Sequence, residues 1–235
     1  MDKGKIKKSL TETAYSEIKR LMLEQRIVSG QKLLYRELID LLRMSKTPII
    51  NALNRLEQEG FIVSVPNYGF SVKPLDQREI IDSQEVREAL ECKAVQRAIL
   101  LGKQADFKIL ADKLRAYEEY RPYKYDRKKL ILNAEFHMQI AAISGNRVLK
   151  YLLRRNLEHM ILRAEPVDYS QDRMDKFAQD HVDILLYIKK KDISGCQELI
   201  SKHIQEARDE MILRLSWNNT DDLRSMNFFE EDSES

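Results

Sequence analysis

The sequence predicts a mainly α-helical chain in two parts: three short helices closed by a β-hairpin, then an antiparallel bundle of six longer helices. Three observations lead there. Only seven Gly and five Pro interrupt 235 residues, 43% of them hydrophobic, and Leu, Glu, Lys and Arg dominate the rest. Apolar residues recur at helical spacing along almost the whole chain. The exception is residues 61–73, where two β-branched and aromatic runs flank the turn sequence Pro66-Asn67-Tyr68-Gly69.

The opening residues, with Lys3, Lys5, Lys7 and Lys8, read as a flexible basic arm over 1–10. A first helix is expected from about Glu12 to Ile27, with Tyr15, Ile18, Leu21 and Met22 on one face and Ser29-Gly30 closing it. A second spans Tyr35–Leu42. The third runs from Lys46 to Glu59, with Ser45 as its cap, Pro48 in its first turn and Gly60 as its stop. Ile49, Ala52, Leu53 and Leu56 form its buried stripe at i, i+3, i+4 and i+7. Thr47, Ile50, Asn51 and Asn54 lie opposite, with Lys46 at the entry. Phe61–Val65 and Gly69–Lys73 then read as two strands. Three helices followed by a hairpin is the order of a winged helix-turn-helix, which assigns residues 11–75 to one DNA-binding domain.

Charge separates that reading from an ordinary amphipathic helix with the same stripe. Residues 1–75 hold 13 Lys and Arg against 8 Asp and Glu, a net +5, while the remainder holds 27 against 30, a net −3. The basic excess sits on the part that carries the third helix, whose amide-bearing, uncharged outer face suits a groove edge. The excess is modest, so two copies are expected on one DNA.

Beyond residue 76 the helical pattern covers about 77–101, 104–119, 125–143, 147–164, 172–190 and 193–216. Gly102, Arg121-Pro122, Ser144-Gly145, Pro166 and Asp192 mark the breaks. Without an internal repeat, six such helices make a bundle, assigned to 76–218. Residues 219–235 read as a solvated acidic tail, with six acids against Arg224 from Asp221 onward. Cys92 and Cys196 lack CxxC spacing and read as reduced core residues. No secretory apolar segment and no 18-residue apolar run occurs, so the expectation is a cytoplasmic protein with no membrane partner.

Arg36-Glu37-Leu38, Ser45-Lys46-Thr47-Pro48, Ala52-Leu53-x-Arg55-Leu56-Glu57-x-Glu59-Gly60 and Pro66-x-x-Gly69 together resemble the DNA-binding domain of the GntR family of transcriptional regulators. In that family the third helix usually begins Ser-Arg-Thr-Pro, with a second Arg four residues after the first. Here those arginines are Lys46 and Ile50. The resemblance implies a homodimer on a palindromic double-stranded operator, contacted by Arg36, Arg43, Ser45, Lys46, Thr47, Ile50, Asn51, Asn54 and the wing residues Asn67, Tyr68 and Gly69. Ile50 can meet a thymine methyl and Asn51 or Asn54 an adenine edge, so an operator richer in A·T at those positions is expected.

Four histidines occur in the chain, and three of them fall on the bundle helices at suggestive places. Asn133 and His137 share a helix face at i, i+4, His181 lies on the fifth bundle helix and His203 on the sixth. Imidazoles projecting from facing helices build metal sites, and the same pattern also arises from hydrogen-bonded or surface histidines, the class to which His159 is assigned. Residues 87–91, 133–149, 180–181 and Asp192 to His203 resemble the FCD-type ligand-binding domain of the FadR branch of GntR regulators. That resemblance implies a divalent metal, Zn²⁺ with Ni²⁺ as the alternative, held by an Asp and three His beside a small carboxylate effector. Mapped here, the set is Asn133, His137, His181 and His203, with Asn in place of the Asp. An amide oxygen ligates without contributing charge, so either the metal is held less tightly or the effector's anion helps to retain it. Arg87 is the effector-binding candidate through a bidentate fork; its alternative is an ion pair with Glu91 at i+4.

These readings converge on a ligand-responsive DNA-binding regulator, with repression favoured by analogy. A metal-dependent hydrolase is the weaker rival: Glu135 sits two residues from both Asn133 and His137, off their shared face, and Asp180 and Asp183 have no nucleophile or oxyanion loop beside them. An interaction module with a degenerate DNA-binding helix is the other, since both expected arginines are replaced.

Overall fold

Ser9 starts the first helix, α1 (Leu10–Leu23), its hydroxyl accepting from the Glu12 N–H. The computed structural model describes residues 9–66, 69–164 and 169–227, with 216–227 as backbone only. The expected arm over 1–8 therefore lies outside the described residues. α1 stops earlier than its apolar pattern suggests, because Gln25 takes a left-handed φ of 57°, and Ile27 reaches the core from irregular chain. A two-residue strand, β1 (Lys32–Leu33), precedes α2 (Tyr35–Leu42), and α3 (Lys46–Gln58) follows. The wing is β2 (Ile62–Val65) and β3 (Gly69–Val72), antiparallel, with Ile62 opposite Val72 and Val65 opposite Gly69. β1 pairs with the other side of β3, giving the order β1-β3-β2. The sequence reading named only the hairpin; the third strand exists because β3 offers an open edge, which no local pattern around Lys32 reveals.

The chain divides into two compact units, residues 1–75 with 158–167, and 76–157 with 168–235. In the first, Ile49, Ala52, Leu53 and Leu56 of α3 are all fully buried, as the stripe predicts, against Ile18, Leu21 and Met22 of α1 and Phe61, Ile62 and Val72. Leu162, from the end of α7 (Arg147–Arg163), completes this core. Beside it the His159 ring stacks on Phe61 at 4.1 Å and 7°, and Lys19 pairs with Glu158 at 2.7 Å. The Arg163 guanidinium is buried and donates to the Lys73 and Pro74 carbonyls, both at 2.7 Å.

The second unit is helical: α4 (Gln77–Leu101), α5 (Gln104–Glu119), α6 (Arg127–Ile143), most of α7, α8 (Gln171–Lys190) and α9 (Ile193–Asn227). Asp76, Asp126 and Ser170 cap α4, α6 and α8 through their side chains. α4 packs on α6, α8 and α9, and α5 on α6 and α8, around Val95, Ala98, Phe136, Ile140, Ile184, Ile188 and Ile200. α9 runs to Asn227, so residues 219–227 of the expected tail continue a helix, and 228–235 lie outside the described residues. Cys92 and Cys196 are free thiols. Among the described residues no helix is long and apolar enough to cross a membrane.

Candidate DNA-reading surface and candidate metal centre

α3 buries one face and leaves Lys46, Thr47, Asn51 and Asn54 exposed, with Ile50 half-buried at the margin. Ser45 has the extended backbone of an N-cap (φ −67°, ψ 164°), but its hydroxyl makes no capping hydrogen bond, contrary to its expected role. The first turn of α3 holds no acid, Pro48 contributes no N–H, and Lys46 reaches over the Tyr35 ring at 4.7 Å. An uncapped helix start beside a cation is a favourable place for a phosphate. Arg36 is exposed on α2, and Arg43, in the left-handed conformation at φ 51°, ends that helix with its side chain in solvent. Gly69 holds φ 95° at the start of β3, a value that suits glycine; Asn67 and Tyr68 lie outside the described residues. Arg55 faces away from this surface. It pairs with Glu12 at 2.7 Å and Glu59 at 3.1 Å and lies over the Tyr15 ring, tying α1 to α3.

In the helical unit, α6, α8 and α9 bring His137, His181 and His203 together, with one nitrogen of each lying within 4.8 Å of the others. All three rings are buried. His137 Nε2 and His181 Nε2 are 3.1 Å apart. Aromatic edges surround them: Tyr117 and Phe136 against His181, Phe177 against His203. Burial lowers His137 to about 4, outweighing the opposing pull of Glu91, and lowers His181 well below its ordinary value, helped by the neighbouring imidazoles. Both rings are therefore neutral near pH 7, the form that ligates a metal.

Two carboxylates orient the cluster from behind. Glu91 Oε2 lies 2.5 Å from His137 Nδ1, and Asp180 Oδ2 lies 2.9 Å from His203 Nδ1. Asp180 hydrogen-bonds His203 Nδ1, while Glu91 meets His137 Nδ1 at ion-pair distance without forming a hydrogen bond; a proton on each Nδ1 would leave Nε2 bare on the other side, as in carboxylate–histidine–metal triads. Burial raises the Glu91 carboxyl, but Arg87 and His137 together bring it down to about 2. Sequence reasoning missed both orienting roles, having weighed Asp180 only as a catalytic acid and Glu91 only as a partner of Arg87. The Arg87–Glu91 pair is present, Nε to Oε1 at 2.6 Å, with Nη1 3.5 Å from Gln84 Oε1. Arg87 Nη2 is buried without a partner. Asn133 sits one turn before His137 on α6, half-buried.

The residues present fit a divalent cation. His181 Nδ1 is buried without a hydrogen-bond partner, and if it keeps its proton, Nε2 faces His137 Nε2 lone pair to lone pair at 3.1 Å. If the proton moves to Nε2 to bridge the rings, Nδ1 becomes a buried acceptor with no donor. A cation among the three nitrogens removes the conflict in the first arrangement.

Residues 10–72 match the family described as bacterial regulatory proteins, gntR family, and residues 82–206 match the FCD domain. The chain belongs to the gntR family of transcriptional regulators. It is 30% identical over 183 residues to the Nta operon transcriptional regulator of Aminobacter aminovorans, covering 78% of this chain and 85% of that one. It is 21% identical over 217 residues to the HTH-type transcriptional repressor RspR of Escherichia coli (strain K12), covering 90% and 92%. The fold is also that of E. coli McbR/YncC, with a TM-score of 0.71 at 22% identity, covering 89% of this chain and all of that one. The gntR regulator thus joins a DNA-binding domain to an FCD effector domain, and its relatives are regulators rather than enzymes.

Proposed function

We propose that this gntR regulator is a homodimeric repressor that reads a palindromic operator and releases it when a small carboxylate binds beside a divalent metal in the FCD domain. The observation that carries the effector reading is the buried juxtaposition of three clustered imidazoles with Arg87 Nη2, a cationic donor without a partner among the described residues. Zn²⁺ or Ni²⁺ would be held by His137, His181 and His203, with Asn133, one turn before His137 on α6, as the fourth ligand the resemblance implies; when bound it supplies a Lewis-acidic anchor for an anion. Arg87 contributes a charge-assisted hydrogen bond to the same anion, and Glu91 holds its guanidinium still.

On the DNA side, Lys46, Arg36 and Arg43 supply phosphate contacts, while Thr47, Ile50, Asn51 and Asn54 face the bases of a major groove. Ser45 and the wing residues Asn67, Tyr68 and Gly69 complete the contacting surface. Two-fold reading needs a second copy. The stripe Val148, Tyr151 and Leu152 on α7, exposed at i, i+3 and i+4, supports pairing with one. Repression is supported by the printed name of the E. coli relative RspR.

The effector reading is tested by thermal shift of the purified chain against mono-, di- and tricarboxylates with Zn²⁺ or Ni²⁺ present. Stabilisation by at least one carboxylate, absent in His181→Ala and Arg87→Met, is expected. A panel that shifts the two variants as much as the wild type contradicts the site.

A further inference from the structure

One groove of the helical unit takes no part in the proposed regulation. It lies along α5 and the last turn of α8, has a volume of about 340 Å³, and is lined by Gln104, Ala105, Phe107, Lys108, Ala111 and Lys189. Gln104, Phe107, Lys108 and Ala111 share one face of α5 at helical spacing, so the groove follows that helix. The small side chains of Ala105 and Ala111 open it, and Phe107 forms its floor. That ring is pressed against Gly102, where a Cβ would come within 2.6 Å of it, so the floor is fixed in place. Two ammonium groups stand at the rim: Lys108 and Lys189 are exposed, and neither has an ion-pair partner among the described residues. The nearby acids of α5 are engaged elsewhere, Asp106 accepting from the Lys103 N–H at 2.9 Å and Asp112 pairing with Arg115 at 3.3 Å. An apolar floor under two free cations fits an anionic segment that also carries an aromatic side chain.

The chain carries such a segment directly after α9, outside the described residues. Phe228-Phe229-Glu230-Glu231-Asp232-Ser233-Glu234 joins two aromatic rings to four carboxylates. A chain's own groove is out of reach of its rings. α9 starts at Ile193, four residues after Lys189, and its 35 residues at about 1.5 Å each carry Asn227 roughly 50 Å from that start. We propose that residues 228–234 of one copy dock in the α5–α8 groove of another, with an aromatic ring on Phe107 and carboxylates on Lys108 and Lys189. Exposed ion pairs add little affinity by themselves, so the ring supplies most of the binding and the lysines select an acidic segment. Groove and segment are different surfaces, so the contact is heterologous and separate from any two-fold pairing through α7.

The test places the photo-crosslinking analogue p-benzoylphenylalanine at position 229 of the full chain, irradiates it, and maps the cross-linked peptides by mass spectrometry. A covalent two-chain product is expected, joined from position 229 to residues 104–111 or 186–189. Lys108→Glu with Lys189→Glu is expected to lower its yield at least about tenfold, because like charges then face each other across the contact. Adding Glu230→Lys with Glu231→Lys to that chain is expected to restore most of the yield, a rescue that a misfolded chain cannot give. Cross-links confined to single chains, or landing outside those residues, such as on the winged helix-turn-helix, overturn the proposal. So does a yield indifferent to the charge reversal, or no cross-link at all.

Discussion

Lys46 and Ile50 contribute differently to α3. Lys46, exposed at the uncapped start of the helix and steadied over Tyr35, is proposed as a phosphate contact; removing it should weaken DNA binding evenly across sequences. Lys46→Ala is expected to lower the slope of log affinity against log salt by about 1 per domain, measured by anisotropy on one duplex. Ile50 is proposed to offer methyl contact where an arginine would fork onto guanine. Ile50→Arg is expected to move selected binding sites toward G·C at the facing position, whereas the wild type selects A·T there. A wild-type preference for G·C at that position would overturn the role given to Ile50. The outer face of α3 was legible in the sequence because helical spacing alone fixes which residues oppose Ile49, Ala52, Leu53 and Leu56. Arg87 was legible only as a choice between two partners. The structure keeps the Glu91 pair and still leaves Nη2 bare, because a guanidinium has more donors than one carboxylate can satisfy. Glu91 and Asp180 were not legible as orienting groups: each meets a histidine on a different helix, and no local spacing encodes such a contact.

At the scale of elements, α7 illustrates what local pattern omits. Its length and boundaries follow from periodicity, yet its last turn completes a core whose other members all come from residues 14–72. Leu162 is 4% exposed in that core, and His159, assigned from sequence to ordinary surface or hydrogen-bonded histidines, is a stacking partner of Phe61. Leu162→Ala is expected to cost about 2–5 kcal/mol in denaturant unfolding of the full chain, the range for truncating a buried leucine. His159→Ala is expected to cost less, about 0.5–1.5 kcal/mol, through the lost ring stack. A Leu162→Ala chain as stable as the wild type would show that the end of α7 is not part of this core. β1 was invisible for a related reason: two residues carry no alternation, and Lys32 and Leu33 become a strand only against Ser71 and Phe70. The extension of α9 past the predicted end reflects the limit of composition as evidence, since an acidic, polar run can still continue a helix already nucleated.

For the whole molecule, the net charge of +2 hides a basic first third and an acidic remainder. A net excess of only +5 on residues 1–75 is the charge argument for the proposed pair of copies on one site. The α7 stripe is the surface argued to provide the second copy, and Tyr151→Glu is expected to yield monomers by analytical ultracentrifugation with the melting temperature little changed. The most direct measurement is anisotropy titration of the full-length chain on its selected palindromic duplex and on a scrambled duplex, each across a salt series. The account predicts two chains per palindrome, an affinity at least about 10³-fold above the scrambled duplex, and a steep loss of binding with salt. Equal affinity for both duplexes, or binding indifferent to salt, would contradict it.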